Sequence, residues 1–459
     1  MPKIPELLAP AGTLKNMRYA FDYGADAVYA GLPRYSLRVR NNDFDRLEHL
    51  QIGIDEAHAQ QKLFYLACNI FPHNAKLKTF LQDMHPIVAC QPDALIMADP
   101  GLILWVREHF PDMPIHLSVQ SNTVNYATVK FWKTIGLSRV ILSRELSLDE
   151  IAEIRQQCPE MELEVFVHGA LCIAYSGRCL LSGYMNHRDA NQGTCTNACR
   201  WNYRTLPAVE TASDTIEPVL GIGQPDLRMF LLEEAQRPGE LMPMFEDEHG
   251  TYILNSKDLR AVQHVERLVN IGIDSLKIEG RTKSFYYVAR TTQVYRQAID
   301  DAVNQKSFDK RLMNELENMS NRGYTEGFYR RHVHDEYQNY LDGSSKSVQQ
   351  QFVGEILAFD PLTQLAKIDV KNHFAVGDTV ELLLPKEKHR FILTHLTNLS
   401  HEPISVAPGS GHVVYAHLPT HSIIEKGLLV KEFEQDSNIH RLATDSFNTT
   451  CINNVLSEN

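Results

Sequence analysis

The stretch Glu6-Leu-Leu-Ala-Pro-Ala-Gly-Thr-Leu-Lys-Asn-Met-Arg-Tyr-Ala-Phe-Asp-Tyr-Gly-Ala-Asp-Ala-Val-Tyr-Ala30 contains the pattern that decides the fold. A short apolar run, Glu6–Ala9, is followed by an amphipathic stretch, Thr13–Tyr23, and then by a second apolar run, Ala25–Ala30. Apolar runs without clean alternation are typical of parallel strands that are buried on both faces. The stretch therefore predicts one strand–helix–strand unit.

The same pattern recurs along the first 170 residues and predicts seven strands. They are Glu6–Ala9, Ala25–Ala30, Lys62–Ile70, Asp93–Ala98, Pro114–Val119, Arg139–Leu142 and Glu162–Val167. An eighth predicted strand, Asp274–Ile278, precedes the helical stretch Ser284–Val303. Eight such units predict an α/β fold, a closed (β/α)8 TIM-like barrel, with a cysteine-rich insertion at residues 171–273 between strands 7 and 8. An open, doubly wound sheet is the alternative.

Changes in composition and in the pattern of apolar residues predict two further regions. A Ser/Gln-rich linker, Gly343–Gln350, separates the barrel region, residues 1–340, from residues 351–435. Short alternating strands with tight turns predict that residues 351–435 form a small C-terminal all-β barrel. Residues 436–459 are polar and are expected to form a loose tail. Inside the insertion, residues 226–256 predict a hairpin with turns at 237–239 and 248–250, and a helix is predicted to start at Ser256–Leu259.

The composition limits the class of protein. The chain has 459 residues, a net charge of −12 and a mean hydropathy of −0.28. No run approaches the ~18 consecutive apolar residues of a membrane span, and the first residues lack the apolar core of a secretory signal. We therefore expect a cytoplasmic protein with no membrane partner. The net charge disfavours a long nucleic-acid groove, although screening allows local basic patches to bind phosphate.

Four of the eight cysteines are clustered just after the seventh predicted strand: Cys172, Cys179, Cys195 and Cys199. In a chain without a secretory signal, such clustering indicates metal or redox chemistry rather than disulfides. The uneven spacing, Cys-x6-Cys-x15-Cys-x3-Cys, favours an iron–sulfur cluster. Zinc and free or catalytic thiols are the alternatives. The isolated Cys68 and Cys90 are expected to be small core residues.

Charged residues stand at the carboxyl ends of predicted strands, where the active sites of such barrels collect. His168, Glu145, Lys277 and Glu279 are the candidate catalytic residues, because charges against buried strands must be paired or bind something. Basic and aromatic residues on the same side suit phosphate contacts and base stacking. The candidates for substrate binding are Arg38, Arg40, Arg144, Arg178, Arg200, Trp201 and Arg281. A structural salt-bridge network around the thiolates is the alternative.

One segment carries a family resemblance. Glu164-Val-Phe-Val-His-Gly-Ala-Leu-Cys172, with its continuation to Cys179, resembles the signature of the collagenase-like peptidase family. Other segments similar to that family are Glu6–Gly12, Asn191–Cys195, Cys199–Trp201 and Ser275–Arg281. The resemblance extends over residues 4–435.

The resemblance implies an enzyme that modifies tRNA. The implied reaction is a prephenate-dependent hydroxylation of the wobble uridine to 5-hydroxyuridine. It also implies a 4Fe-4S cluster on Cys172, Cys179, Cys195 and Cys199. The expected partners are then the tRNA anticodon region, prephenate and the machinery that assembles iron–sulfur clusters.

The family's name implies the alternative activity, a cysteine- or metal-dependent peptidase. A thiol peptidase needs a base within hydrogen-bond reach of the sulfur, and His168 or His187 could serve. A thiolate that binds a cluster cannot also be a free nucleophile, so the two hypotheses exclude each other at Cys172 and Cys179. A non-catalytic scaffold with a C-terminal binding module is a third hypothesis.

Overall fold

The computed structural model describes most of the chain outside the cysteine-rich insertion. Described are residues 3–36, 42–72, 74–170, 257–319, 321, 323–330, 350–418 and 426–433, together with the backbone of seven strands within 171–256. The chain divides into two units, Met1–Lys346 and Ser347–Asn459.

Eight parallel strands form the barrel of the first unit. They are β1 (Glu6–Pro10), β2 (Ala27–Gly31), β3 (Leu63–Cys68), β4 (Ala94–Met97), β5 (Ile115–Leu117), β6 (Arg139–Ile141), β7 (Glu162–Ala170) and β8 (Ser275–Ile278). Neighbours in this order pair in parallel, and β8 pairs with both β1 and β7. The sheet is therefore closed, which confirms the TIM-like barrel and excludes the open sheet.

Helices follow the strands and cover the outside of the barrel. They are α1 (Leu14–Asp22), α2 (Leu47–Ala59), α3 (Asn74–Ala89), α4 (Pro100–His109), α5 (Tyr126–Thr134), α6 (Leu148–Gln157), α7 (Val265–Ile271), α8 (Phe285–Val303) and α9 (Arg311–Glu317). Short 3-10 helices lie at Pro33–Tyr35, Val119–Ser121 and Val262–His264.

Local sequence signals determine where several of these helices begin. Ser147 and Glu150 form a capping box at the start of α6, which satisfies backbone N–H groups there. Asp99 caps α4, and Ser284 caps the long helix α8 at the predicted position. The buried faces of the helices pack against the strands in one continuous apolar core.

The insertion between β7 and β8 contains a separate antiparallel sheet. Its strands, in sheet order, are Ile216–Pro218, Tyr203–Glu210, Met229–Glu234, Leu241–Asp247 and Gly250–Ile253. The last three pair antiparallel in succession, as the predicted hairpin requires, whereas residues 237–239 and 248–249 of its turns lie outside the described residues.

The predicted helix start at Ser256–Leu259 is wrong. Asp258–Arg260 is a short strand that pairs antiparallel with the end of β7, with Asp258 opposite Ala170 and Arg260 opposite His168. The backbone groups at the end of β7 are better satisfied by this added strand than by a helix. The helix α7 consequently begins only at Val265.

The second unit is the predicted all-β region. Its strands are β9 (Gln350–Asp360), β10 (Leu365–Val370), β11 (Phe374–Ala375), β12 (Thr379–Leu383), β13 (Lys388–Ile392), β14 (Leu396–Thr397), β15 (Pro403–Ile404), β16 (Val406–Ala407), β17 (Val413–His417) and β18 (Leu428–Glu432). Eight of them form one antiparallel sheet in the order β13-β12-β18-β9-β10-β17-β14-β15. The sheet encloses its own aliphatic core.

Across the part of the chain that the structure describes, no helix combines the length and the apolar character needed to cross a membrane.

Candidate active site

The amino-terminal half of the barrel lumen is filled by a network of charged and polar side chains. Arg139 Nη1 donates to Glu6 Oε1 at 2.7 Å and to Glu164 Oε2 at 3.2 Å. Tyr65 OH and Ser275 Oγ also donate to Glu6, at 2.6 and 2.9 Å. These residues start or lie early in strands that are not all adjacent in the sheet, so their side chains meet inside the barrel. We call Glu6, Tyr65, Arg139, Glu164 and Ser275 the floor network.

Lys277 continues this network towards the carboxyl end of the lumen. Its Nζ donates to Glu164 Oε1 at 2.8 Å and lies 4.3 Å from the ring centroid of Tyr29. Burial lowers the pKa of Lys277, and the Glu164 carboxylate acts in the opposite direction. A carboxylate beside a buried ammonium favours its charged form. The candidate catalytic Lys277 therefore lies in the lumen as half of a buried ion pair.

Arg144, Glu279 and Arg281 lie at the carboxyl end of the lumen, with Ser36 beside them. Arg144 donates to Ala170 O at 2.7 Å and to Glu279 Oε2 at 3.1 Å. Arg281 Nη1 donates to Ser36 Oγ at 2.7 Å. We call Arg144, Glu279, Arg281 and Ser36 the mouth cluster. The structure thus brings together two predicted substrate-binding arginines and one predicted catalytic carboxylate.

Two aromatic rings support the cations of this region. The Arg144 guanidinium lies 3.8 Å from the ring centroid of Phe166, and the Arg281 guanidinium lies 5.8 Å from that of Tyr29. Stacking on a ring holds a planar guanidinium in a defined orientation while leaving N–H groups for a ligand. The arrangement is suited to binding carboxylates or phosphates.

Glycines make room for the mouth cluster. A Cβ atom at Gly31, the last residue of β2, would lie 2.0 Å from Arg281 Nη1 and 2.9 Å from Ser36 Oγ. Gly169 has a φ of +103°, and a Cβ there would lie 2.5 Å from the backbone oxygen of Glu279. Any other residue at these positions would displace an arginine or the β8 loop.

Further polar groups stand at the ends of β3 to β6. Glu145 accepts a hydrogen bond from Ser143 Oγ, which also lies 3.0 Å from Asn122 Oδ1. Asn69 Nδ2 donates to Ser118 Oγ at 3.3 Å. Asn69 Oδ1 and Arg144 Nε are buried without a hydrogen-bond partner among the described residues. Buried polar atoms left in this way are typical of a site that binds water or a ligand.

His168 lies apart from the mouth cluster. After a register shift in the β7–β8 pairing it stands opposite Ile278. Its ring is surrounded by Tyr287, Tyr295 and Tyr324, with centroids 5.5 to 5.9 Å away. Because Tyr287 and Tyr295 belong to α8, His168 faces the helix layer rather than the lumen.

The surroundings of His168 keep its imidazole neutral. The pKa of His168 is lowered to about 3, chiefly by burial and also by the nearby cations Arg260 and Lys283. Its Nδ1 lies 3.4 Å from Tyr295 OH. The catalytic role predicted for His168 stays a prediction, and in this structure the ring is not in contact with the lumen.

The cysteine site lies largely outside the described residues. Outside them are Cys172, Cys195, Cys199, Arg38, Arg40, Arg200 and Trp201, and only the backbone of Arg178 and Cys179 is described. Strands Ala174–Tyr175 and Arg178–Cys179 form a hairpin in which Cys179 pairs with Ala174, two residues along the sequence from Cys172. Four thiol donors that follow the carboxyl end of β7 are a ligand set that fits an iron–sulfur cluster.

The described cysteines are core residues. Cys68, Cys90 and Cys158 are buried. Burial raises the pKa of each thiol, that of Cys68 to about 12. Among the described residues, no group of three His, Cys, Asp or Glu side chains could hold a metal ion. Among the described side chains there is therefore no candidate for the reactive thiol or the metal centre of a cysteine- or metal-dependent peptidase.

The floor network is not among the sites predicted from the sequence. The sequence nevertheless contains a signal for it, because two charged residues lie in predicted buried strands: Glu164 in the middle of one and Arg139 at the start of another. A charge within a buried strand requires a buried partner. The pairing of particular residues across the lumen, however, depends on the barrel geometry.

Comparisons with known proteins cover both units. Residues 12–339 match the family model of peptidase family U32, and residues 348–431 match that of the U32 C-terminal domain. The tRNA hydroxylation protein P of Escherichia coli (strain K12) is 61% identical, over 94% of this chain and 98% of that protein. The protein of that name from Haemophilus influenzae is 59% identical, over 93% and 96%. The 23S rRNA 5-hydroxycytidine C2501 synthase of Escherichia coli is 28% identical, over 83% and 53%.

Proposed function

The chain belongs to peptidase family U32, the family that its sequence resembles, and we propose that it is an RNA-modifying enzyme that hydroxylates tRNA. One observation carries this proposal. Two proteins named for tRNA hydroxylation are about three-fifths identical to this chain over nearly its whole length. A more distant relative is named for hydroxycytidine synthesis in ribosomal RNA, which fits RNA hydroxylation as the broader activity.

The finer proposal concerns the substrates. We propose that the wobble uridine is converted to 5-hydroxyuridine and that prephenate is the co-substrate. Prephenate carries two carboxylates, and the guanidinium groups of Arg144 and Arg281 at the mouth are suited to such groups. A tRNA substrate also favours a cytoplasmic location.

We further propose that Cys172, Cys179, Cys195 and Cys199 hold a 4Fe-4S cluster, supplied by the cluster assembly machinery. Such a cluster provides one-electron transfer when bound. The support is the set of four thiols that follows β7, the strand whose carboxyl end borders the mouth cluster through Ala170 and Arg144.

The described side chains would bind and orient the substrates. Arg144 and Arg281 bind anionic groups, and Glu279 positions Arg144 through its 3.1 Å hydrogen bond. Proton transfer during the reaction requires a side chain close to the substrate that can take up or release a proton. Among the described residues, Glu279 and Glu145 are two carboxylates after the carboxyl ends of strands that could do so, whereas His168 faces the helix layer.

The experiment combines iron analysis with nucleoside analysis. Protein purified without oxygen should contain iron and sulfide, and each of Cys172→Ala, Cys179→Ala, Cys195→Ala and Cys199→Ala should lose most of both. Mass spectrometry should find no 5-hydroxyuridine in the tRNA of a deletion strain. The wild-type gene and Cys158→Ala, a buried cysteine outside the quartet, should restore it.

Two results would contradict the proposal. Unchanged 5-hydroxyuridine in the deletion strain would exclude tRNA hydroxylation. Protein without iron, together with peptide cleavage that is lost in Cys172→Ser, would favour the peptidase alternative instead.

A further inference from the structure

Phe71 is a large aromatic side chain exposed to solvent on the mouth side of the barrel. It follows the carboxyl end of β3, which ends at Cys68, and 52% of the residue is exposed. Because all eight strands are parallel, their carboxyl ends share one face with the mouth cluster. Single exposed apolar residues are common on protein surfaces, so the surroundings of Phe71 must decide its role.

The loop that contains Phe71 lies directly beside the loop that follows β2. Leu32 N donates to Ala67 O and Ile70 N donates to Tyr35 O, both at 3.1 Å. Phe71 directly follows Ile70, the donor of the second hydrogen bond, and Arg34 directly precedes Tyr35, its acceptor. The exposed ring and the Arg34 loop therefore form one continuous part of the barrel rim.

Two cations are fixed at this part of the rim. Arg34 Nη1 donates to Asp83 Oδ2 at 2.8 Å, which orients the guanidinium and offsets part of its charge. Lys76 Nζ donates to Arg34 O at 2.9 Å. An ammonium has three N–H donors, so this bond leaves two for another acceptor. The rim thus presents an exposed ring beside N–H donors with a net positive charge.

Tyr35 cannot supply the ring in place of Phe71. It is only 1% exposed, and it packs edge-on against Phe80 with its hydroxyl bonded to Asp83. Tyr35 therefore supports the loop from below, while Phe71 faces solvent.

An aromatic face next to phosphate-binding cations is the arrangement with which proteins hold unpaired nucleotides. We propose that Phe71 stacks on an unpaired base of the RNA substrate and that Arg34 and Lys76 contact the adjoining phosphate. This inference rests on the proposed function and deepens it by assigning a nucleotide-binding site outside the lumen.

The test measures binding of a fluorescein-labelled RNA stem–loop with the anticodon-loop sequence, by fluorescence anisotropy with the full-length protein prepared without oxygen. Phe71→Ala should weaken binding about tenfold, as is typical for loss of one base–aromatic stack. Phe71→Leu, which keeps an apolar side chain of similar size, should weaken it similarly. Phe71→Trp should retain affinity, and RNA should quench the added indole fluorescence relative to wild type.

A matched control is available on the helix layer. Phe131 in α5 is 53% exposed, almost the same as Phe71. Phe131→Ala should bind RNA like the wild type, because Phe131 lies in the second half of a helix of the outer layer and not in a loop after a barrel strand. Equal losses in Phe131→Ala and Phe71→Ala would show that exposed apolar area, not stacking at the rim, is being measured.

The phosphate contact has its own signature. Lys76→Gln should weaken binding and reduce the slope of log Kd against log salt concentration by about 0.7, the value for one phosphate of a single strand. An unchanged slope would overturn the assignment of Lys76.

The outcomes separate this inference from the proposed function. If the wild type binds the RNA and the Kd of Phe71→Ala lies within twofold of the wild-type Kd, the inference alone is overturned. No RNA binding by the wild type would overturn the proposed function together with it.

Discussion

The floor network and the mouth cluster lie at opposite ends of one lumen and differ in how their charges are satisfied. In the floor network, Glu164 is fully buried and accepts hydrogen bonds from both Arg139 and Lys277. In the mouth cluster, the side chain of Arg144 is 15% exposed and retains a buried Nε without a partner among the described residues. The charges of the floor network are satisfied by one another, whereas the mouth cluster keeps a donor that a ligand can use.

This difference shows how one barrel can separate stability from binding. Buried charges are tolerated only where each has an opposite charge and further hydrogen bonds. The floor meets that condition with groups from five strands, so it links the strands of the barrel across the lumen. The mouth uses similar residue types, but its Arg144 keeps an Nε–H group without a partner among the described residues, which a water or a substrate can satisfy.

The largest expected effect comes from opening the floor. Arg139→Met leaves Glu6 and Glu164 without their shared cation, and removing one partner of a buried ion pair costs about 3–5 kcal/mol of unfolding free energy. The matched variant at the mouth, Arg144→Met, should cost less, about 2 kcal/mol, because Arg144 donates to one carboxylate, Glu279, whereas Arg139 is shared by two. Urea unfolding followed by circular dichroism measures both, and equal costs would refute the distinction.

The next effect concerns His168, which lies near the carboxyl end of β7 but is buried, as most of the floor network is. Its folded-state pKa of about 3 lies below the unfolded value of about 6.5. Above pH 6.5 both states are neutral. As the pH falls below 6.5, the unfolded chain takes up a proton that the folded protein cannot, so stability is lost.

Between pH 7.5 and 5 this residue alone should reduce the unfolding free energy by about 2 kcal/mol. His168→Gln should therefore show a flatter dependence of stability on pH than the wild type. The measurement is the difference between the two proteins in urea unfolding at pH 7.5, 6 and 5. Parallel curves would mean that His168 is accessible to protons in the folded state.

The smallest effect tests the geometry of the mouth. Gly31→Ala forces Arg281 away from Ser36, because the new Cβ would lie 2.0 Å from Nη1. Hydroxylation measured as kcat/KM should fall about tenfold, which corresponds to about 1.4 kcal/mol in the barrier. The free energy of unfolding should fall by about 1 kcal/mol, because the buried Arg281–Ser36 hydrogen bond is lost.

A double variant identifies Arg281 as the residue through which Gly31 acts. Gly31→Ala combined with Arg281→Ala should be no less active than Arg281→Ala alone, since the two changes remove the same interaction. Gly101→Ala, at an exposed position in α4, is the control for adding a methyl group and should keep full activity. Additive losses would place the role of Gly31 elsewhere.

The barrel could be predicted from the sequence because its signals are local. Apolar runs such as Ala25–Ala30 and caps such as Ser147 and Ser284 act within a few residues, and each predicted element is present. The wrong helix start at Ser256–Leu259 has a non-local cause. Asp258–Arg260 pairs with β7, a partner that lies far away in the sequence.

The candidate site could be predicted only in outline. That Arg144, Glu279 and Arg281 collect at one end of the barrel follows from their positions after parallel strands. The side of β7 on which His168 lies cannot be predicted in this way, because it depends on the register shift between Lys277 and Ile278. The burial of Tyr35 and the exposure of Phe71 likewise depend on how the loops after β2 and β3 pack together.

The pairing of β7 with β8 has a consequence for how this chain can vary. Glu164 pairs with Ser275, so the two strands on either side of the insertion of about a hundred residues are neighbours in the barrel. The entropy cost of closing a loop grows only with the logarithm of its length, so doubling the insertion would cost only about 0.6 kcal/mol. Evolution or protein engineering can therefore shorten, extend or exchange the segment between the two strands while the same eight strands remain closed.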